Sequence, residues 1–410
     1  MSSYIFSVGK PGHGKKTISA IHNAGYKAGL IMDSNSPCSY ADMFDHVVSF
    51  DFSSIERSIA SSGLSQFDIQ GLLCTYENYI IAKAKIGAAL SVPSLSLEAA
   101  ERCTDKSLMR QAFMDYSPSI TPNFREVVTL DDALQFAAHF SYPIILKPAN
   151  LVKSLLVLKC EKESDLIQNY QKMMEEITDL YAKYNIYGRV PKIIIEEFIT
   201  GDMYSVAAFV DQDGEVFICD DVVALTTAQQ IDRSDNYLYR RLLPSSLPEA
   251  VQQDMYDIAR QGITALGLTA SPAHVELIRD AAGVTRIIEI GARIGGYRPR
   301  MYALSYGYDL IAAEIAIAVN DAPQVSGALN NYTAVYELFP EHSGTLIKIN
   351  NLPDSETLEY CSIKANPGDS IGTAADGHKA TCVIIISAPD VSLLHTLMKK
   401  VDEISIEVIS

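Results

Sequence analysis

The chain has 410 residues, with 33 lysines and arginines against 50 aspartates and glutamates, for a formal charge of −17. At about 150 residues per domain this length predicts two to three domains, and 48% hydrophobic with 20% charged residues excludes a disordered, collagen-like or low-complexity chain. The acidic balance also excludes an extended nucleic-acid surface, which needs clustered cations to displace counterions from phosphates.

The N-terminus, MSSYIFSVGKPGHGKK, sets a short apolar stretch before its basic cluster. That is the reverse of a secretory signal, and no run approaches 18 apolar residues, so a cytoplasmic protein with no membrane partner is expected. Cys38, Cys74, Cys103, Cys160, Cys219, Cys361 and Cys382 lack paired metal-ligand spacing and read as reduced core thiols.

Tyr4 to Val8 is an apolar run ending in a Gly/Pro-rich segment; a helical stretch near Thr17 to Ala24 and a second run, Ala28 to Met32, complete a β-α-β opening. Runs at His46 to Phe50 and Gly71 to Thr75 extend the alternation to Val92-Pro93. Residues 1–100 are therefore expected to form a parallel sheet with helices on both faces. From Thr104 the pattern predicts a helix, strands at Pro143 to Lys147 and Leu155 to Lys159, and a charged helix from Lys162 to Lys183. Strands follow at Lys192 to Phe198 and Tyr204 to Val210, and Asp213-Gly214 turns the chain into Glu215 to Cys219. Leu247 to Leu266 carries Val251, Met255, Ile258 and Leu266 at helical spacing, with Gly267 placed to close the helix. Residues 101–330 are taken as a central domain and 331–410 as a small α+β domain, making the fold class α/β and α+β.

The segment Gly9 to Thr17, GKPGHGKKT, follows a strand and opens a helix, where backbone amides attract anions. A P-loop sets Ser or Thr directly after its lysine. Here Lys16 follows Lys15 and Thr17 comes one position late, turned about 100° around the helix. The segment reads as a close-packing turn; a P-loop kinase or nucleotide-binding switch using Lys15 and Thr17 is the competing reading from another class.

The most informative stretch is His274 to Gly296, HVELIRDAAGVTRIIEIGARIGG. Val275 to Ile278 and Arg286 to Ile290 read as two strands joined by a turn at Asp280 to Gly283. A two- or four-residue loop would put Glu276 and Glu289 on one face, directly or diagonally opposed. Either a hard divalent ion lies between them, or each is solvated and paired with an arginine such as Arg279 or Arg286. His274 falls two positions before Glu276, on its face in a regular strand, as a candidate general base or a structural histidine. Arg293, the Gly295-Gly296 pair, Arg298 and Arg300 follow. Guanidinium forks suit carboxylate or phosphate, and glycine frees amides such as that of Gly296 to approach an oxyanion. Together these point to phosphoryl chemistry.

In this order the motifs resemble the ATP-grasp superfamily, and within it carboxylate-amine ligases such as the L-amino-acid ligases that form dipeptides. The resemblance covers nearly the whole chain. It implies a Rossmann-like N-terminal domain, a central ATP-grasp domain and a C-terminal α+β domain. It implies ATP with Mg²⁺ or Mn²⁺, small carboxylate and amine substrates, and a homodimer. Thr104-Asp105-Lys106 followed by Arg110 resembles the first phosphate-contacting lysine motif, with Lys106 in that role. Ile144 to Pro148 resembles the strand whose lysine, Lys147, reaches the nucleotide. Ile195 to Ile199 resembles the adenine hinge: Glu196 would face the adenine amine beside Glu197, and the backbone of Phe198 and Ile199 would bond the ring. Glu276 and Glu289 match the two metal-binding acids, and Arg293 the arginine that steadies the transferred phosphate, while Tyr297 and Arg298 would meet the substrate.

Three positions depart from the family pattern. The lid over the phosphates, expected across Val152 to Leu158, lacks glycine, so Lys153 and Ser154 would contact phosphate by side chain. The ribose-contacting glutamate falls at Met203, with Asp202 as its substitute. The asparagine after the second metal acid is Gly291, a form like that of the L-amino-acid ligases. The resemblance thus implies an ADP-forming ligase that joins an amino acid, or a similar carboxylate, to an amine. A biosynthetic ligase acting on a nucleotide precursor is the alternative within the superfamily, and a non-catalytic nucleotide-binding protein the alternative outside catalysis.

Overall fold

The computed structural model describes residues 2–36, 38–151, 155–183, 189–233, 235, 237–354 and 358–409. Lys153 and Ser154, with the start of the expected lid, lie outside the described residues.

The N-terminal sheet is parallel, in the order His46–Phe50, Lys27–Asp33, Ser3–Val8, Asp68–Leu73. The order reverses direction after the third strand, as in an open, doubly wound α/β sheet. The last strand begins three residues before its apolar run, because Asp68 and Gln70 at its start point to solvent while Leu72 and Leu73 are buried. The carboxyl ends of these strands carry Asp33 and the turn Glu77–Tyr79. Among the described residues no helix is long and apolar enough to cross a membrane.

A second sheet, Phe124–Val127, Ile193–Glu197, Ile144–Pro148 and Leu158–Cys160, is antiparallel. The helices Leu130–Phe140 and Glu163–Lys183 bury Phe136, Leu166, Met173 and Ile177 in its core. Its last strand starts at Leu158 and not at Leu155, since Leu156 sits at φ 53°, a conformation no strand contains.

The largest sheet has nine strands. Its order runs Thr285–Gly291, Ser271–Asp280, Gly201–Val210, Val223–Thr227, Leu238–Leu243, Tyr332–Leu338, Cys382–Ala388, Tyr360–Ile363, with Val216–Ile218 added to Gly201–Val210. Leu238–Leu243 pairs with Tyr332–Leu338, so strands from both sides of position 330 share this sheet. Beyond it, Gly344–Asn350, Ser370–Ile371 and Ser405–Ile409 form a small separate sheet.

The helix Glu249–Leu266 ends where the spacing predicts, at Gly267 with φ 69°, a conformation that costs glycine nothing. It buries Met255, Ala259, Ile263 and Leu266 against Ile287 and Ile290 of the hairpin, each fully buried aliphatic side chain contributing about 1.5–3 kcal/mol. Glu289 on this edge strand and Glu276 on its neighbour are thereby held on a rigid support.

Candidate active site

The hairpin Ser271–Asp280 and Thr285–Gly291 carries both candidate metal acids, and Glu276 is the direct cross-strand partner of Glu289. That pairing depends on a bulge. From the turn upward the partners are Arg279 with Thr285, Ile278 with Arg286 and Leu277 with Ile287; then Ile288 is skipped and Glu289 faces Glu276. In an unbroken ladder Glu289 would face Val275 and enter the core, because a one-residue slip sends a side chain to the opposite face.

Each carboxylate is held from a different side. Lys106 opens the helix Lys106–Tyr116, which Asp105 caps by accepting from the amides of Ser107 and Leu108. Its Nζ donates to Glu289 Oε1 at 3.0 Å and to the carbonyl of Leu151 at 3.0 Å. Burial works to lower the Lys106 ammonium, but the carboxylates of Glu289 and Glu77 outweigh it and raise it. His274 Nε2 lies 3.4 Å from Glu276 Oε1. Burial would raise Glu276, yet the His274 hydrogen bond and the positive charges of Arg293 and Arg298 hold it at about 2. Burial pushes His274 down against the opposing pull of Glu276, and its Nδ1 is buried without a partner. A Cβ on Gly295 would stand 2.6 Å from that nitrogen, which explains why this position takes glycine. Next to it, the space beside Gly296 is open.

Lys147 and Glu196 form a buried pair, Nζ to Oε2, at 2.6 Å. Arg110 completes the group through Nε to Glu196 Oε1 at 2.8 Å. Burial pushes the Lys147 ammonium down to about 8, with Glu196 opposing the shift. Glu196, expected to face an adenine amine, is a buried residue whose two carboxylate oxygens both engage cations, because two buried cations require a counter-charge. Glu197 is likewise used internally, accepting from the backbone N and Nδ2 of Asn123 at 2.8 Å each. Phe198 lies under the Lys159 ammonium, 4.1 Å from its ring centre, and Ile199 is half-buried beside it. Asp202 is exposed and accepts from Gln230 Nε2 at 3.3 Å.

Arg293 donates through Nη2 to Glu77 Oε2 at 3.3 Å and through Nη1 to the Ile294 carbonyl at 3.2 Å. Glu77 leads in raising its guanidinium. Arg298 is 2% exposed and donates to Ser205 Oγ at 2.7 Å and the Gly296 carbonyl at 3.2 Å. Among the described residues it has no carboxylate partner, and its Nε is buried without an acceptor; burial lowers it to about 10, so it stays charged. Tyr297 donates to Glu337 Oε1 at 2.8 Å, with the Arg241 guanidinium 5.3 Å from its ring centre. Arg300 instead covers the Tyr360 ring near the surface.

A cavity of about 250 Å³ lies between the carboxyl ends of the N-terminal strands and these residues, lined by Asp33, Phe52, Glu77, Lys106, Arg189 and Glu289 among others. Crevices at such strand ends are where open α/β sheets take ligands. Glu77, absent from the sequence reading, contributes a carboxylate oxygen, Oε1, that is buried without a hydrogen-bond partner. Its place just past a parallel strand was the available signal. By contrast, Lys15 and Lys16 are exposed, while added Cβ atoms at Gly9 and Gly12 would run into Tyr79 and Thr75; the Gly-rich segment is a packing turn.

Among the described residues no three or more acid, histidine or cysteine side chains converge as a metal cage. Two facing carboxylates, one of which, Glu289, lines the cavity, nevertheless fit Mg²⁺, which is characteristically held by one or two carboxylates together with substrate phosphates and water.

Residues 140–299 match the ATP-grasp domain family, and the fold is the ATP-grasp fold. Within that superfamily it resembles the L-amino-acid ligases. It superposes on the crystal structure of an L-amino acid ligase from Bacillus licheniformis with TM-score 0.82 at 19% identity, covering 100% of this chain and 99% of that one. It is 24% identical over 306 residues to the alanine–anticapsin ligase of Bacillus subtilis, a match that covers 70% of this chain and 62% of that protein's length. The N5-carboxyaminoimidazole ribonucleotide synthetase of Thermotoga maritima superposes with TM-score 0.70 at 15% identity, covering 100% of both chains.

Proposed function

We propose that this protein is an ATP-dependent, ADP-forming ligase that activates an amino acid or similar small carboxylate as an acyl phosphate and joins it to an amine, with a second amino acid as the favoured partner. The observation that carries this reading is the facing pair Glu276 and Glu289, with Lys106 bonded to Glu289 where both line one cavity, and with Arg293 and the carboxylate-free Arg298 lending positive charge to Glu276.

A carboxylate is a poor electrophile, since its charge repels nucleophiles and oxide is a bad leaving group. In the proposed reaction a carboxylate oxygen attacks the γ-phosphorus of ATP, the bond to the β-phosphate oxygen breaks, and ADP leaves. The amine nitrogen then attacks the acyl carbon, the carbon–oxygen bond to phosphate breaks, and the ammonium proton passes to phosphate or solvent. A divalent ion bound at Glu276 and Glu289 would supply charge neutralisation at the phosphate oxygens. Lys147 and Lys106 position the phosphates as point charges, and Arg293 offers a fork to the transferred group. His274, with Nε2 committed to Glu276, serves to orient that acid. The backbone of Phe198 and Ile199 takes the adenine, and Asp202 is assigned to the ribose. Arg298 gives the activated carboxylate's substrate an anion partner, and the unpartnered oxygen of Glu77 suits an ammonium group.

The test is phosphate release from ATP and Mg²⁺ across pairs of amino acids and amines, with mass spectrometry of products. An amide or dipeptide formed in step with ADP is expected. Turnover only with a phosphoribosyl carboxylate or amine would favour the nucleotide-precursor alternative, and no carboxylate-dependent turnover would overturn the ligase reading. A homodimer belongs to the same proposal and is measurable by light scattering.

A further inference from the structure

The helix Lys106–Tyr116 places Lys106 and Arg110 four residues apart, on one face. The two side chains take hold of consecutive residues of the metal-acid strand. Lys106 bonds the carboxylate of Glu289, and Arg110 Nη2 donates to the backbone carbonyl of Ile288 at 2.7 Å. Ile288 is the residue that the ladder skips, opposite no partner of its own. Its carbonyl would otherwise be a backbone acceptor stranded by the bulge, and buried backbone acceptors are nearly always paired.

The remaining donors of Arg110 reach the other half of the site. Nε bonds Glu196 Oε1 at 2.8 Å and Nη2 lies 3.4 Å from Glu196 Oε2, the oxygen that also holds Lys147. Arg110 is 0% exposed, and its Nη1 has no partner. Burying a guanidinium so completely is costly. A nearby surface-facing position on the same helix carries Gln111 without any such cost. The arrangement makes sense as a tie: one planar cation fixes the distance between the Lys147–Glu196 pair and the bulge that turns Glu289 toward Glu276. We infer that Arg110 is a positioning residue that locks the bulged register of the metal-acid strand and couples it to the nucleotide lysine. The inference rests on the proposed metal and nucleotide roles of these residues.

Because Arg110 acts through Ile288 and Glu289, its loss should weaken metal binding before it weakens the fold. The test is Mn²⁺ titration by electron paramagnetic resonance on the full chain with saturating ADP, alongside thermal melting. Arg110→Met is expected to raise the Mn²⁺ dissociation constant by about 10- to 100-fold, the range found when residues supporting metal ligands are removed. Arg110→Met strips Glu196 of one of its two cations and can fail to fold, so a second variant is Arg110→Lys. That variant keeps the region's charge balance but cannot reach the Ile288 carbonyl with a planar fork, so the same loss of Mn²⁺ affinity is expected. A folded variant of either kind with wild-type Mn²⁺ affinity would overturn the positioning role. Wild-type protein that binds no Mn²⁺ with ADP would instead overturn the underlying metal reading, and this inference with it.

Discussion

Glu276 and Glu289 face each other across two antiparallel strands, and Lys106 answers only one of them, at 3.0 Å from Glu289. His274 leans on the other through a neutral ring. Two like charges directly opposed are destabilising in a sheet, and one ammonium leaves the pair net negative. Glu289→Gln relieves that repulsion while removing a charged ligand. It is expected to leave the melting temperature unchanged or higher and to cut carboxylate-dependent ADP release by at least about 100-fold, the scale of losing a preorganised electrostatic group. A coupled ADP assay and a thermal melt on the same preparation check both halves; full activity would remove the acids from the site.

Lys147 predicts a pH dependence. Its ammonium is lowered to about 8 by burial, with Glu196 opposing, and only the protonated form attracts phosphate. The sign follows directly: below pH 8 the cation is present, and above it the free enzyme loses the charge. Thus kcat/KM for ATP should fall by about tenfold per pH unit above 8, whereas kcat, which reports the bound complex, should bend at higher pH because phosphate retains the proton. Lys147→Arg, charged throughout this range, should abolish the alkaline limb. An unchanged limb in that variant would assign it to another group.

Much of this architecture was readable from local pattern. The strand His46–Phe50 and the helix closing at Gly267 stand where their periodicity and cap residues put them, because burial on one face and a left-handed terminus leave direct marks on the sequence. The acids were readable as a pair from hairpin spacing. The bulge that makes them face each other was not, since Ile288 is indistinguishable by type from Ile287 and Ile290 and is marked only by a distant helix residue, Arg110, that bonds its carbonyl. Arg110, Glu77 and the engagement of Glu196 were also hidden, as each depends on a partner 86 or more positions away or, for Glu77 and Arg293, 216 positions away. Strand pairing across position 330, between Leu238–Leu243 and Tyr332–Leu338, has no local signature for a similar reason.

Arg298 should separate binding from stability. It is buried, charged and matched only by neutral oxygens of Ser205 and Gly296. Arg298→Met removes a desolvated cation and keeps much of its volume, so stability should change by no more than about 1–2 kcal/mol in either direction. If Arg298 meets the substrate anion, KM for the carboxylate should rise by about 30- to 100-fold, the value of a charge-assisted hydrogen bond lost from a buried site, with KM for ATP within twofold. A collapse of both KM values together would show that the residue supports the fold of the site and not the substrate.

The Gly-rich segment offers the sharpest contrast between two readings of one motif. Gly9 has φ 75° and abuts the Tyr79 ring, and Gly12 abuts Thr75, so both glycines serve close packing between strand ends. Lys15 projects to solvent. Lys15→Ala should therefore leave KM for ATP within twofold, while Lys147→Ala raises it by at least about tenfold, the scale of one charge-assisted contact to phosphate. Gly9→Ala should lower stability by about 1–3 kcal/mol, since a side chain there is strained by its backbone angle and has no room, and this loss should appear in denaturant melts without a matching change in nucleotide affinity. If Lys15→Ala abolished ATP binding and Lys147→Ala did not, the nucleotide would belong at the N-terminal turn, and the assignment of Lys147 would have to be abandoned.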